Sequence, residues 1–320
     1  MLPLSMRIRS AIESYATGDA LGMVPEFMTR NEIENQFGIV DRLLDPSQSR
    51  RHSNLKQGQI TDDTEQLLYC LKEYRQHGIS LRTTSDALIN WFNRCDPVAK
   101  GFIGRSSQKA IESLLRGADP ETSGLTGTTC GGAMRAAAAA LHSKNVDELP
   151  KDIYACVAPT HNTNLAMEGA FAFGYAVFAA LHGGAVEETI KYAIKGGTLG
   201  RQQGKSHFAG ASSVKRIALL KSFTACNPSS KELMDYIYDV IGTGMETTEV
   251  VPAVFGIFMF NYDNPWAAIK MGASLGGDTD TIAAMVGMLT TLAAGEHNIP
   301  KAVLQAVLEI NSLDFSGIGL

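Results

Sequence analysis

Residues 167–181 read MEGAFAFGYAVFAAL, and residues 135–141 read RAAAAAL. Segments this rich in alanine and glycine limit the fold more than any other feature of the chain. Small side chains let helix axes approach closely, so these stretches predict buried central helices in a tightly packed bundle. The apolar pattern elsewhere agrees. Ile8, Ile12, Tyr15 and Ala16 share one helical face. Leu67, Leu68, Leu71 and Tyr74 repeat the spacing, and Gly78 supplies the stop. Leu88, Trp91, Phe92 and Cys95 suggest another helix. Residues 105–116, 131–143, 163–182, 185–195, 210–223, 230–242, 250–261, 265–274, 280–294 and 300–311 read the same way, joined by turn residues. Period-two alternation is almost absent. The expected fold is all-α, a compact orthogonal multi-helix bundle. No linker or repeat divides the apolar segments, so residues 1–320 are expected to form one domain.

Composition narrows the function classes. Hydrophobic residues make up 45% of the chain and charged residues 19%, which suits a sizeable buried core. A net charge of −5 without a Lys/Arg run argues against a general nucleic-acid binder. The five cysteines are scattered, with no CxxC, and fit reduced thiols better than disulfides or a zinc site. Arg7, Arg9 and Glu13 precede any long apolar run, unlike a secretory signal. Glu168 interrupts the apolar stretch 165–181, leaving it short of a convincing membrane span. The expectation is a soluble cytoplasmic protein with no nucleic-acid or membrane partner.

Two acidic clusters carry the chemistry: ITDDTEQ at 60–66 and GGDTDT at 276–281. Each opens an apolar helix. Thr and Asp are preferred helix caps, and Asp62 with Glu65 has the spacing of a capping box. A cap uses one oxygen, so the second aspartate of each cluster is surplus. Carboxylates packed together at buried helix starts repel unless a cation neutralises them. No Cys or His accompanies either motif, and all-oxygen ligation favours Mg²⁺, Mn²⁺ or Ca²⁺ over zinc. Four carboxylates suit two divalent ions about 3.5–4 Å apart.

These clusters occur in order with GDALG (18–22), GGAMR (131–135) and THN (160–162). Together they resemble the ADP-ribosylglycohydrolases, the group that includes dinitrogenase reductase-activating glycohydrolase and the ADP-ribosyl-acceptor hydrolases. The resemblance spans nearly the whole chain, and TDDT and GGDTDT are its specific signals. It implies an all-α bundle with a binuclear metal site at its centre, holding two Mg²⁺ or Mn²⁺ ions. It also implies cleavage of the bond between C1″ of ADP-ribose and an acceptor.

The resemblance assigns Thr61, Asp62, Asp63, Asp278, Asp280 and Thr281 as metal ligands, with Asp280 bridging. Asp62 and Asp280 also enter the catalytic set with Glu26, an acid/base or extra ligand by this reading and a surface loop residue by the plainer one. Asp19 is an orienting acceptor or a solvated helix end. Gly131, Gly132, Met134 and Arg135 would lie against the ribose and diphosphate. By residue type alone, this glycine-rich stretch is either an anion-facing helix start or a tight turn. Arg135 bonds a phosphate or a helix carbonyl, and Cys130 is a small turn residue. His161 is placed near the ligand, with a structural hydrogen-bonding role as the alternative.

Residues 196–217 read as a solvated loop or as a substrate-facing loop that selects the leaving group. Pro252 suits the first turn of a helix. Phe102, Phe208, Tyr175 and Trp266 are equal candidates for adenine stacking. The leading expectation is a Mg²⁺-dependent hydrolase acting on an ADP-ribosylated protein or a small ADP-ribosyl or ribosyl metabolite. A hydrolase of a smaller, nucleoside-like riboside is the alternative. A non-catalytic, crystallin-like relative ranks below both, because all six expected ligand positions are filled. The leaving group, the preferred metal and the oligomeric state stay open.

Overall fold

The structure is a computed structural model that describes residues 2–313 and 315. Among the described residues there are seventeen α-helices and no strand, only two isolated bridges, Thr129 with Glu246 and Thr163 with Ser206. The expected all-α class is the observed one. The helix Asn164–Leu181 is buried along its whole length. It packs against Gly131–His142 on one side and Val186–Gln203 on another. Among the described residues it is the one helix long and apolar enough to cross a membrane, yet all of it lies inside the protein. Its one carboxylate, Glu168, is buried against Arg201 and the Ser212 hydroxyl.

Two glycines in GDALG explain how the site is assembled. The helix Leu4–Gly22 lies against Thr279–Ala294. A Cβ on Gly18 would stand 2.3 Å from the Ala283 carbonyl oxygen, and one on Gly22 would stand 2.4 Å from that of Thr279. The two backbones touch, which only glycine permits at these points. Asp19, between them, is thereby carried to the start of the Asp62–His77 helix.

The structure corrects three local expectations. Residues 196–203 are not a loop. They complete the helix Val186–Gln203, where Gly196 and Gly200 let it close on the Asn164–Leu181 helix. Helical glycines at a close crossing look the same in sequence as flexible glycines. Pro252 lies inside the helix Thr247–Asn261, not in its first turn. It cannot donate to the Thr248 carbonyl, and that oxygen instead accepts from Arg216 Nη1 at 2.7 Å. The helix foreseen at 230–242 is α-helical over Ser230–Tyr236 and changes to a π segment over Ile237–Ile241. The helices Arg30–Phe37 and Leu149–Val157 had no counterpart in the pattern reading.

Candidate functional site

The helices Asp62–His77 and Thr279–Ala294 begin side by side, and their first residues line one cleft. Helix starts carry partial positive charge, so both dipoles favour anionic groups here. Asp62, Asp63, Asp278 and Asp280 are all buried and all line the cleft. Thr61 is the cap of the first helix: its hydroxyl accepts from the Asp63 N–H at 3.4 Å. Glu65 is not part of a capping box. It accepts from Trp91 Nε1 at 2.7 Å and from Lys100 Nζ at 3.1 Å. The capping explanation therefore uses Thr61 alone and leaves both aspartates free.

Backbone geometry sets the second cluster. Gly276 and Gly277 both sit in the left-handed region, at φ 86° and 82°. A Cβ on Gly277 would meet the Thr243 carbonyl oxygen at 2.0 Å. This turn exchanges two hydrogen bonds with the loop after the first helix. Phe27 N–H donates to Gly277 O at 2.8 Å, and Gly277 N–H donates to Met28 O at 3.0 Å. The turn therefore delivers Glu26 as well as Asp278 to the cleft. Glu26 is buried, not a surface loop residue.

Asp19 does not face the cleft. It accepts from the N–H groups of Thr61 and Thr64 and from the Thr64 hydroxyl, locking the TDDT helix start in place. Asp62 accepts from Gln66 Nε2 at 2.8 Å, and Asp63 Oδ2 accepts from the Thr281 hydroxyl at 3.2 Å. Asp63 Oδ1 is buried and has no partner. Asp278 accepts from the Cys130 thiol at 2.9 Å.

The electrostatics suit a site that could hold a cation. Burial raises the Asp278 and Asp19 carboxyls to about 6. Burial, and then neighbouring carboxylates, push Asp62, Asp63 and Asp280 well above the ordinary range. Unneutralised, such a group takes up protons; beside a divalent ion it can remain ionised. Donor atoms of Asp19, Asp63 and Asp280 lie within 4.8 Å of one another, and so do those of Glu26, His52 and Asp280. Asp280 belongs to both groups. The orphan Asp63 oxygen and the oxygen-rich donor set fit a hard metal cation.

The glycine-rich segment forms the opposite wall. Gly131 and Met134 line the cleft; Gly132 packs behind on Val157 and His161. Arg135 is fully buried and does not line the cleft. It donates to the carbonyls of Cys156 and Gly131, to Gln66 Oε1 and to the Thr160 hydroxyl. Of the two alternatives for Arg135, the structure shows the helix carbonyl. His161 is likewise enclosed, with Nε2 against the Thr129 hydroxyl and Nδ1 against that of Thr160. Burial and the Arg135 charge depress it to about 3, so the ring is neutral. A Cβ on Gly131 would come within 3.0 Å of the His161 ring, which explains the glycine.

Two features escaped the sequence reading. The motifs have no Cys or His beside them in sequence, but the fold brings Cys130 and His52 to them. His52 comes from the polar stretch SRRHSN, where no periodicity or motif marks it. The Ser49 hydroxyl accepts its backbone N–H at 3.0 Å, and its ring nitrogen Nε2 meets Glu26 Oε2. Arg51 and Phe102 also line the cleft; Phe208, Tyr175 and Trp266 do not.

A family model described as ADP-ribosylglycohydrolase matches residues 3–316. The chain is 27% identical to an uncharacterized Escherichia coli (strain K12) protein, YegU, covering 97% of this chain and 94% of that protein. It is 26% identical to the ADP-ribosyl-dinitrogen reductase glycohydrolase of Rhodospirillum rubrum, covering 93% of this chain and 89% of that one. A solved structure described as an ADP-ribosylglycohydrolase-related protein complex superimposes with a TM-score of 0.67 at 20% identity, over 96% of this chain and 94% of the other, and shares the fold. The chain therefore belongs to the ADP-ribosylglycohydrolase family and is an enzyme of the glycosidic hydrolase class.

Proposed function

We propose that the chain hydrolyses the bond between C1″ of an ADP-ribosyl group and its acceptor, with two Mg²⁺ or Mn²⁺ ions held by Thr61, Asp62, Asp63, Asp278, Asp280 and Thr281. The observation that carries this reading is the convergence of four buried aspartates from two helix starts on one cleft, with an unpartnered oxygen among them. Held by these residues, divalent cations would supply electrostatic stabilisation at the ribose. The protein's part is positioning and charge. The carboxylates favour the positive charge that develops on the ribose as the C1″ bond breaks. Glu26 takes a proton from the water that attacks C1″ and hands that proton on to the departing nitrogen or oxygen, so that water ends divided between C1″ and the leaving group. The Gly131 wall holds the sugar, and Phe102 and Arg51 offer an aromatic face and a cation to the rest of the nucleotide.

The name of the Rhodospirillum rubrum relative supports an ADP-ribosylated protein as the substrate class. Incubation with Mg²⁺ and a panel of ADP-ribosylated arginine, serine and ester compounds tests the reading, with simple nucleosides included. Release of ADP-ribose is the expected result. Release of ribose from nucleosides alone would replace it with the smaller-riboside reading, and no release from any compound would sink both.

A further inference from the structure

We propose that His52 is a nitrogen ligand of the metal centre, and that its imidazole tilts the site toward Mn²⁺ and other first-row transition ions over Mg²⁺. The inference rests on the proposed metal requirement and goes beyond the six-oxygen set. The His52 side chain is 1% exposed and enters the cluster from the loop that precedes the Asp62–His77 helix. Its donor atom, one from Glu26 and one from Asp280 lie within 4.8 Å of one another. Donors on opposite sides of one ion stand about 4–4.5 Å apart when each bond is about 2.0–2.2 Å, so the imidazole and Asp280 can share an ion, with Glu26 as the carboxylate against the other ring nitrogen.

The hydrogen bonding points the same way. One ring nitrogen faces the Glu26 carboxylate, and the other, Nδ1, is buried without a partner. A histidine that only propped Glu26 would leave that nitrogen desolvated and unmatched, which is costly. Metal-bound histidines commonly set their second nitrogen against a carboxylate, the arrangement seen between His52 and Glu26. Asp63, in the second donor group that includes Asp280, has its Oδ1 orphaned in the same way.

Ligand chemistry then sets the selectivity. Imidazole is a good donor to Fe²⁺, Ni²⁺ and Zn²⁺ and a weaker one to Mn²⁺, whereas Mg²⁺ prefers oxygen more strongly still and keeps its waters. Losing the imidazole should therefore weaken transition-ion binding and leave Mg²⁺ binding nearly unchanged.

The test is pulsed electron paramagnetic resonance on the full-length protein loaded with Mn²⁺. The expected spectrum shows ¹⁴N coupling to manganese that changes to ¹⁵N coupling when histidine is isotopically labelled. This measurement needs no variant. In His52→Gln the coupling disappears, and Mn²⁺ affinity falls by at least the roughly 10–100-fold that loss of an outer partner produces. Bound Mn²⁺ without nitrogen coupling would overturn the role of His52 and leave the hydrolase reading standing. Equal loss of Mn²⁺ and Mg²⁺ affinity in the variant would overturn the selectivity. Failure to bind either ion would overturn this inference together with the metal requirement beneath it.

Discussion

The two walls of the cleft are built on opposite principles. The acidic wall, at Asp62–Asp63 and Asp278–Asp280, crowds like charges and leaves an oxygen without a partner. On the glycine wall, the groups behind Gly131 are fully matched: Arg135 donates to four acceptors and both His161 nitrogens are engaged. Both walls are buried and both are rich in polar atoms. The difference shows where chemistry is stored. A buried group with all its bonds made is scaffold, and a buried group with bonds to spare is waiting for a ligand.

The sharpest way to break this contrast is to neutralise one member of each wall. Asp280→Asn should lower kcat by about 10³-fold, the scale of removing a preorganised electrostatic group. It should also raise the melting temperature of the metal-free protein, because a crowded, desolvated carboxyl is gone. Calorimetry with and without Mg²⁺ checks this: the parent gains stability with the ion and the variant does not. A metal-free variant that melts below its parent would show that the carboxylates are structural. Arg135→Met should do the reverse. It leaves Gln66 Oε1 and the Thr160 hydroxyl short of a donor, costing about 3 kcal/mol in denaturant unfolding. A folded Arg135→Met with unchanged stability and lost substrate affinity would instead make Arg135 a ligand contact.

Acid sharpens the comparison further. His161 has a folded pKa of about 3 against an ordinary 6.5. The unfolded chain takes up a proton as pH falls through 6.5, and the folded chain does not until about 3. His161 therefore contributes stability that is lost as pH falls through that window. Asp19 and Asp278, raised to about 6, act with the opposite sign in the metal-free protein, which is most stabilised by their protonation below about 4. A difference measurement separates the two effects. The stability gap between parent and His161→Gln should shift by about 2–3 kcal/mol toward the variant between pH 7 and pH 4.5. A pH-independent gap would mean that the ring is solvated or already charged.

The contrast also explains what the sequence could and could not disclose. The surplus of aspartates at 61–64 and 278–281 was visible because a helix start needs only one capping oxygen. The all-α class was visible because period-two alternation is missing. Asp19, Gly18 and Gly22 make sense only once the backbones of two helices are seen to touch. His52 was hidden because its loop has no periodic pattern, and its partner Glu26 is 26 residues away. Arg135 sits in a motif that resembles an anion site, and only its burial and four acceptors show where its guanidinium goes. Residues 196–203 were misread because close helix packing and loop flexibility both use glycine. Local pattern reveals periodicity and charge surplus; it does not reveal which long-range bonds are completed.

One side chain belongs to both walls. Gln66 donates from Nε2 to Asp62 and accepts at Oε1 from Arg135 Nη1 at 2.7 Å. It is fully buried, one turn into the Asp62–His77 helix. If the walls are mechanically separate, cutting this link removes two hydrogen bonds and nothing more. Gln66→Met, which keeps the volume, should cost about 1–2 kcal/mol in stability. Arg135 retains its Gly131, Cys156 and Thr160 acceptors, so the glycine wall should stay in place. Asp62, however, loses the donor that orients its carboxylate, and Mn²⁺ affinity should fall by about tenfold. A double-mutant cycle with Arg135→Met should then give a coupling of about 1 kcal/mol in stability. The same cycle measured on metal affinity decides how the walls communicate. A coupling there would show that the satisfied wall sets the geometry of the unsatisfied one through Gln66. Additive effects would show that Asp62 is held by Gln66 alone and that the Arg135 scaffold stops at the bond between them.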